Sequence, residues 1–235
     1  MKRLKFISFT LLLCLAIMFG LWQVSRSTSF QLFGDVITRV ETNEPIIALT
    51  FDDGPGPKYL APVLELLDKE DVTATFFLVG QAVRDHPELT QDIAARGYEI
   101  ANHSFTHPRM VLMSMDRIAQ EIENTDAAIR ATGYTEPLHF RPPYGKKLVN
   151  LPRYLAEHDR ASIMWDIAPE KWNGSVEEIA NRIANEAKPG SIVLFHVMYN
   201  SGGMSRAVLP LAIKALKEQG FRFVTISQLL ERRAP

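Results

Sequence analysis

From Ile46 onward the chain alternates between short apolar runs of strand character and amphipathic stretches of helix character, and nothing else in the sequence limits the fold as much. "IIALTF" reads as a buried strand, and "PKYLAPVLELLDKED" as a helix with Leu60, Val63, Leu64 and Leu67 on one face. "TATFFLVG" is the next strand, "PELTQDIAARG" a helix closed by Gly97, and "YEIANHS" a strand. "SMDRIAQEIENTDAAIRATG" is a long helix capped by Ser114 and ended by Gly133. Beyond a short strand and the loop "HFRPPYG", the helix "LPRYLAEHD", the strand "ASIMWDI" and the helix "SVEEIANRIANEAKPG" follow in turn. The strand "SIVLFH", the helix "AVLPLAIKALKEQG" and the run "FRFVTISQLL", a strand entering a last helical turn, complete the series. Such units build parallel sheets with right-handed crossovers.

About seven units over roughly 200 residues are too few for a regular eightfold barrel. An open doubly wound sheet or an incomplete barrel is left. The polar residues decide between them. Asp52 and Asp53, His103 and His107, Arg141, Asp166 and His196 each follow a different strand. A barrel gathers all those ends at one mouth, whereas an open sheet would spread several of them apart. The expected fold class is therefore α/β, a distorted, incomplete (β/α) barrel.

A membrane helix is expected to precede it. "MKRLK" is basic, and Phe6 to Val24 carries no charge, which is enough to cross a bilayer. The run ends in "LWQVSRSTS", with Trp22 at the interface and no A-x-A cleavage pattern. Residues 1–24 are read as a signal-anchor, with a cleaved signal peptide as the alternative. The basic end stays inside, which places the rest in the cell envelope, or secreted if cleaved. Residues 25–43 read as a linker and edge strand, and 44–235 as one catalytic domain. Cys14 is the only cysteine and lies in the apolar run, so no internal disulfide forms. A formal net charge of −1 lacks the basic footprint of a nucleic-acid binder, and a monomer is expected.

In "ANHSFTH", His103 and His107 are four apart and would share a face on one helical turn. Two imidazoles and a carboxylate make a common divalent-metal site. Surface histidines are the plainer alternative, weakened by the Asp52–Asp53 pair that ends another strand. A divalent cation would neutralise one aspartate and relieve its repulsion with the other, which stays ionised as a base. The plainer reading of that pair is an Asx-type turn. A non-haem iron oxygenase uses a similar triad but needs no second aspartate and no acid histidine. His86, His139 and His158 read as structural or solvent-facing, and Met110, Met113 and Met115 as packing residues.

"TFDDGP", "HSFTH", "RPPYG", "WDIAPEKW" and "IVLFH" stand in the order and approximate spacing of the polysaccharide deacetylases, the carbohydrate esterase family with the NodB homology domain. The chain resembles that family from about Ile46 to Leu230. The resemblance implies a distorted (β/α) barrel and an N-deacetylase. Asp53, His103 and His107 would hold a divalent metal, usually zinc, with cobalt or another ion as alternatives. Asp52 would be the general base, paired with Arg141, and His196 the general acid. The Tyr144 N–H would help stabilise an oxyanion, and Pro143, Tyr144, Trp172 and Leu194 would line the substrate pocket. The implied reaction is hydrolytic removal of N-acetyl groups from GlcNAc-containing cell-envelope glycans, peptidoglycan or chitin-like. Soluble chito-oligosaccharides, or an inactive glycan-binding barrel, are the alternatives.

The chain departs from the family in the fourth motif. Where the family has an aspartate before the tryptophan that orients the acid histidine, Lys171 stands, and Ala168 replaces an earlier aspartate. Glu170 and Asp166 are the two carboxylates placed to serve His196 instead, with Glu170 preferred and Lys171 turned outward.

Overall fold

The computed structural model describes residues 2–233. Met1, in the expected membrane segment, and Ala234 and Pro235, at the end of the expected catalytic domain, lie outside them. The chain opens with helix α1 (Lys2–Arg26). Within it Phe6–Arg26 reaches a mean hydropathy of 2.1 and is exposed from Phe6 to Gln23, so it is long and apolar enough to cross a membrane. A signal sequence passes the same test.

The strands are β1 (Val36–Ile37), β2 (Ile46–Gly54), β3 (Thr75–Leu78), β4 (Glu99–Asn102), β5 (Ser162–Ile163), β6 (Ile192–Phe195) and β7 (Arg222–Val224). The helices after α1 are α2 (Leu60–Lys69), α3 (Gly80–Asp85), α4 (Pro87–Ala95), α5 (Met115–Ala131), α6 (Asn150–Glu157), α7 (Val176–Glu186), α8 (Gly203–Glu218) and α9 (Ile226–Glu231). Every residue of β2 is buried, as its unbroken apolar run demands of a strand covered on both faces. It pairs with β3, with β6 and, at its start, with β7, always in parallel. β4 lies beyond β3, and β1 pairs with β5. Single-residue bridges close the ring: Asn102 to Phe140, Phe140 to Ser162, and Ile167 to Val193. The result is the distorted barrel that the strand-end residues pointed to.

"ASIMWDI" yields a strand of only two residues, Ser162–Ile163. The reason is local. The Ile163 and Met164 carbonyls accept from Nε and Nη2 of Arg141 (3.1 and 3.0 Å), so neither serves a neighbouring strand. The helices match their apolar stripes more closely. In α2, Leu60, Val63, Leu64 and Leu67 are buried. Ser114 accepts from the Arg117 N–H at the start of α5, a cap worth about 1 kcal/mol. Gly97 and Gly133, at φ 80° and 94°, take the left-handed conformation that ends α4 and α5. Helix α3 went unread because six residues are too few to display a period. Met110 is fully buried in a cluster with Ile118, Phe140 and Leu151, and Met113 and Met115 pack against it, so these methionines are core.

Residues 25–43 lie along the barrel. Ser25, Gln31 and Val40 are buried, and Gln31 Nε2 donates to the carbonyls of Phe33 and Asp35 (2.8 Å each).

Candidate metal centre and active site

Between Asp52 and Asp53 the backbone turns over. Asp53 has φ 73°, and the β2–β3 register shifts between Asp52 and Gly54. A bulge of this kind re-aims a side chain at a strand end. Two adjacent carboxylates thereby face one site in different directions.

Residues 103–107 are not helical, which corrects the expected route by which the two histidines meet. Ser104 and His107 both have positive φ (65° and 56°), and the loop folds back so that the two imidazole centroids lie 4.9 Å apart. Short polar bonds hold it there. Asn102 Oδ1 accepts from the Ser104 N–H (2.8 Å), and Ser104 Oγ accepts from the His107 N–H (3.1 Å). Glu121, buried on α5, accepts from the N–H groups of Phe105 and Thr106 (2.9 and 2.7 Å) and from the Thr106 hydroxyl (2.7 Å).

His103 Nδ1 lies 2.8 Å from the Arg141 carbonyl, which can only accept, so Nδ1 carries the hydrogen and Nε2 faces Asp53. Asp53 Oδ1 is 3.5 Å from His103 Nε2 and 3.0 Å from His107 Nε2. That oxygen is buried and has no hydrogen-bond partner. An orphaned buried carboxylate oxygen is costly unless something binds it. One donor atom each from Asp53, His103 and His107 lies within 4.8 Å of the others, a set that fits a divalent cation. Burial would raise the Asp53 pKa, but the contacts with His103 and His107 outweigh it and hold the carboxyl well below its usual range.

Asp52 faces Arg141, which is completely buried. Arg141 Nη1 donates to Asp52 Oδ1 (2.6 Å) and to Thr50 Oγ1 (2.9 Å), and the guanidinium lies 3.9 Å from the Phe77 ring centroid. Asp52 Oδ2 points the other way, 3.6 Å from His103 Nε2. Across the site His196 Nε2 lies 3.6 Å from Asp53 Oδ2.

Glu170 and Asp166 part company here. Glu170 Oε1 is 3.5 Å from His196 Nδ1 and accepts from the His196 N–H (2.9 Å) and from Ser205 Oγ (2.6 Å). Asp166 is engaged elsewhere: its oxygens accept from Ser191 Oγ (2.7 Å) and the Ile192 N–H (2.8 Å). Lys171 is exposed, with its ammonium 5.5 Å from the Trp165 ring centroid. Burial alone would lower the His196 pKa. The Glu170 contact and the Asp52 and Asp53 charges more than offset it and push it up to about 9.

These groups open into a cleft of about 710 Å³ whose walls include Tyr144, Trp172, Tyr199, Met204 and Ser205. Tyr144 has φ 57°, and its ring centroid lies 4.6 Å from that of His107. Pro143 and Leu194, expected at the pocket, are buried and do not line this cleft. Leu194 lies on β6, two residues before His196, which follows the strand. Tyr199, Met204 and Glu121 were not read from the sequence. Only Glu121 left a signal, a charge inside the apolar stripe Ile118, Ile122, Thr125 and Ile129. The remaining histidines lie apart. His158 Nδ1 is 2.7 Å from Tyr154 O, His139 Nε2 is 2.9 Å from Ser227 Oγ, and His86 is exposed enough to reach Glu88 at 3.6 Å.

Residues 39–162 match the family model described as polysaccharide deacetylase. A peptidoglycan-N-acetylglucosamine deacetylase of Bacillus cereus is 37% identical over 200 residues, covering 84% of this chain and 93% of that protein. Among solved structures, a family 4 carbohydrate esterase from Streptomyces lividans in complex with acetate superposes with a TM-score of 0.72 at 30% identity, covering 83% and 98% of the two chains. A CE4 family pseudoenzyme from Bacillus anthracis is similar to the same degree, with a TM-score of 0.75 at 30% identity over 85% of this chain and 70% of the other.

Proposed function

The chain belongs to the polysaccharide deacetylase family, and from that premise we propose how its own residues carry out a metal-dependent deacetylation of GlcNAc-containing glycans. The observation that carries the reading is the orphaned Asp53 oxygen between two imidazoles, with a base and an acid on either side.

Asp53, His103 and His107 would hold a divalent ion, which we assign as zinc because two imidazole nitrogens and one carboxylate are ligands it accepts. When bound, the ion supplies a Lewis acid for the acetyl carbonyl. Asp52 Oδ2 takes the proton of the attacking water, while Arg141 occupies Oδ1 and fixes the carboxylate in place. The Tyr144 N–H donates to the oxyanion that forms as water adds to the carbonyl carbon. His196, protonated and steered by Glu170, gives its proton to the sugar nitrogen as the C–N bond breaks. Acetate and a free amine result. Trp172 walls the cleft on the side of Glu170.

The glycan is assigned to the cell envelope, peptidoglycan in preference to chitin-like polymers, on the likeness to the Bacillus cereus enzyme and on α1 read as a retained anchor. The proposed division is an anchor over residues 1–24, a linker with edge strand over 25–43, and a catalytic domain over 44–235, acting as a monomer outside the membrane. The inactive alternative is answered by one experiment. The purified full chain, stripped of metal and then reloaded with zinc or cobalt, is incubated with peptidoglycan and with chitin oligomers, and released acetate is measured. Metal-dependent acetate from peptidoglycan is expected. Acetate from chitin oligomers alone would move the substrate, and no acetate from either would favour the glycan-binding barrel.

A further inference from the structure

Helix α1 meets the barrel on the face that carries the cleft. The chain leaves α1 at Arg26 and is held at once by the loop beyond Tyr144. The Lys147 N–H donates to Ser25 O (3.1 Å), and the buried Lys147 ammonium donates to Ser27 O (2.6 Å). That loop stands at the C-terminal ends of the strands, with the site. From there the chain descends the barrel wall. By Asp35 it has reached the start of β5, where its carbonyl accepts from the Ser162 N–H (2.9 Å), and β1 then runs back up alongside β5.

Three cations surround the junction. The Arg26 guanidinium covers Trp22 (4.5 Å to the ring centroid), and that of Arg109 covers Tyr144 (5.1 Å). Lys146 lies near both: burial, then the Arg26 and Arg109 charges, lower its pKa. Beside them Leu112 is 88% exposed and Val149 38% exposed, and Asn150 Nδ2, donating to Met113 O (2.8 Å), ties their two loops together. Exposed apolar tips among cations are the composition of a membrane-interface surface. The Phe6–Arg26 stretch would be about 31 Å long, close to the hydrocarbon thickness of about 30 Å, which sets Arg26 at headgroup level.

We propose that the cleft face rests on the bilayer, with Arg26, Arg109 and Lys146 on anionic phospholipid headgroups and Leu112 and Val149 in the interface. The cleft then opens along the membrane surface and takes glycan held there. The proposal rests on α1 being a retained anchor. The test uses the full chain with Cys14→Ser and one new cysteine, Leu112→Cys, labelled with an environment-sensitive fluorophore. It is reconstituted in phosphatidylcholine vesicles with or without phosphatidylglycerol, some lipids carrying a shallow spin-label quencher. Lys214→Cys, on an α8 side chain 73% exposed, is the control. Strong quenching is expected at position 112 and little at 214, increased by phosphatidylglycerol. Arg109→Glu with Lys146→Glu should lower the surface-bound population roughly fivefold per charge. Equal quenching at both positions, or indifference to the charge reversals, overturns the proposal. Flotation and mass of the same samples separate the two readings. A full-length floating chain with an unquenched label at 112 sinks only the docking, whereas a chain trimmed near Val24 and left in solution sinks the anchor and the docking with it.

Discussion

Asp52 and Asp53 are neighbours in sequence but face different partners, because Asp53 takes a left-handed conformation at the end of β2. Asp52→Asn keeps the shape and the Arg141 contact but loses the carboxylate proposed as the base. Metal content should stay near one ion per chain while acetate release falls about 10²–10⁴-fold. Asp53→Asn should instead lose metal, measured by elemental analysis of the same preparations. The reverse pattern would mean that the two roles are exchanged. The presence of these residues was legible in the motifs, since an Asp-Asp pair and an H-x-x-x-H spacing carry their chemistry in the residue types. The partner of His196 was not, because two carboxylates stood at suitable places in the sequence and only the three-residue turn Pro169–Lys171 aims one of them. Glu170 lies on His196 and keeps its pKa high, so the alkaline limb of the rate profile reports on that contact. A general acid works while protonated, and activity is lost as pH rises through its pKa. Glu170→Gln removes the charge that favours imidazolium and should shift the alkaline limb to lower pH, whereas Lys171→Ala, on the exposed side, should leave it in place. A Glu170→Gln profile that superposes on the wild type would remove Glu170 from the mechanism.

At the scale of elements, the helices declared themselves and the site loops did not. A stripe such as Leu60, Val63, Leu64 and Leu67 states which face is buried, and each cap states where the helix begins. The loop from His103 to His107 has no period to read. Its shape comes from non-local bonds, chiefly from Glu121 one helix away. Glu121 is nearly fully buried, and Arg117 also reaches its carboxylate (2.8 Å). Burying a carboxylate among apolar neighbours is costly unless its bonds are made, and here they fix the segment between two metal ligands. Glu121→Gln retains size but removes the charge and one of the two acceptor oxygens that two N–H groups, the Thr106 hydroxyl and Arg117 share. The loop should loosen while α5 stays folded. Zinc affinity is expected to fall about 10- to 100-fold, the usual cost of losing a group that orients metal ligands, with little change in far-ultraviolet circular dichroism. Glu121→Asp, which keeps both acceptors on a shorter arm, should recover part of that affinity. Unaltered affinity in Glu121→Gln would show that Asn102 and Ser104 suffice to hold the loop.

At the scale of the whole molecule, the proposed end of the anchor lies where burial begins. The apolar stretch of α1 is exposed as far as Gln23, whereas Ser25 is buried and its carbonyl is bonded to Lys147. The apolar run and its end were legible from composition. The attachment of residues 25–43 to the barrel was not, since polar linker sequence says nothing of a buried lysine more than a hundred residues away that binds its carbonyls. Two truncations separate these regions. Removing residues 1–24 leaves Ser25 and Ser27 in place, and a soluble chain with the deacetylase activity of the full protein on soluble oligomers is expected. Removing residues 1–34 takes away the acceptor of the Lys147 ammonium. An unsatisfied buried donor costs about 1–3 kcal/mol, more when charged, which for a domain of this size lowers Tm by roughly 2–10 °C relative to the first truncation. The pH dependence identifies the cause. Burial, then Lys146, push the Lys147 pKa down to about 8 from the ordinary 10.5. Between those values the unfolded chain binds more protons than the folded one, so this group makes the fold more stable as pH rises. Losing the Ser27 acceptor costs the charged amine more than the neutral one. The Tm gap between the two truncations should therefore be largest near neutral pH and should narrow as pH rises through 8 toward 10, where the amine is neutral in both. A gap that stays constant across that range would mean that residues 25–34 stabilise the barrel through packing and Gln31 alone.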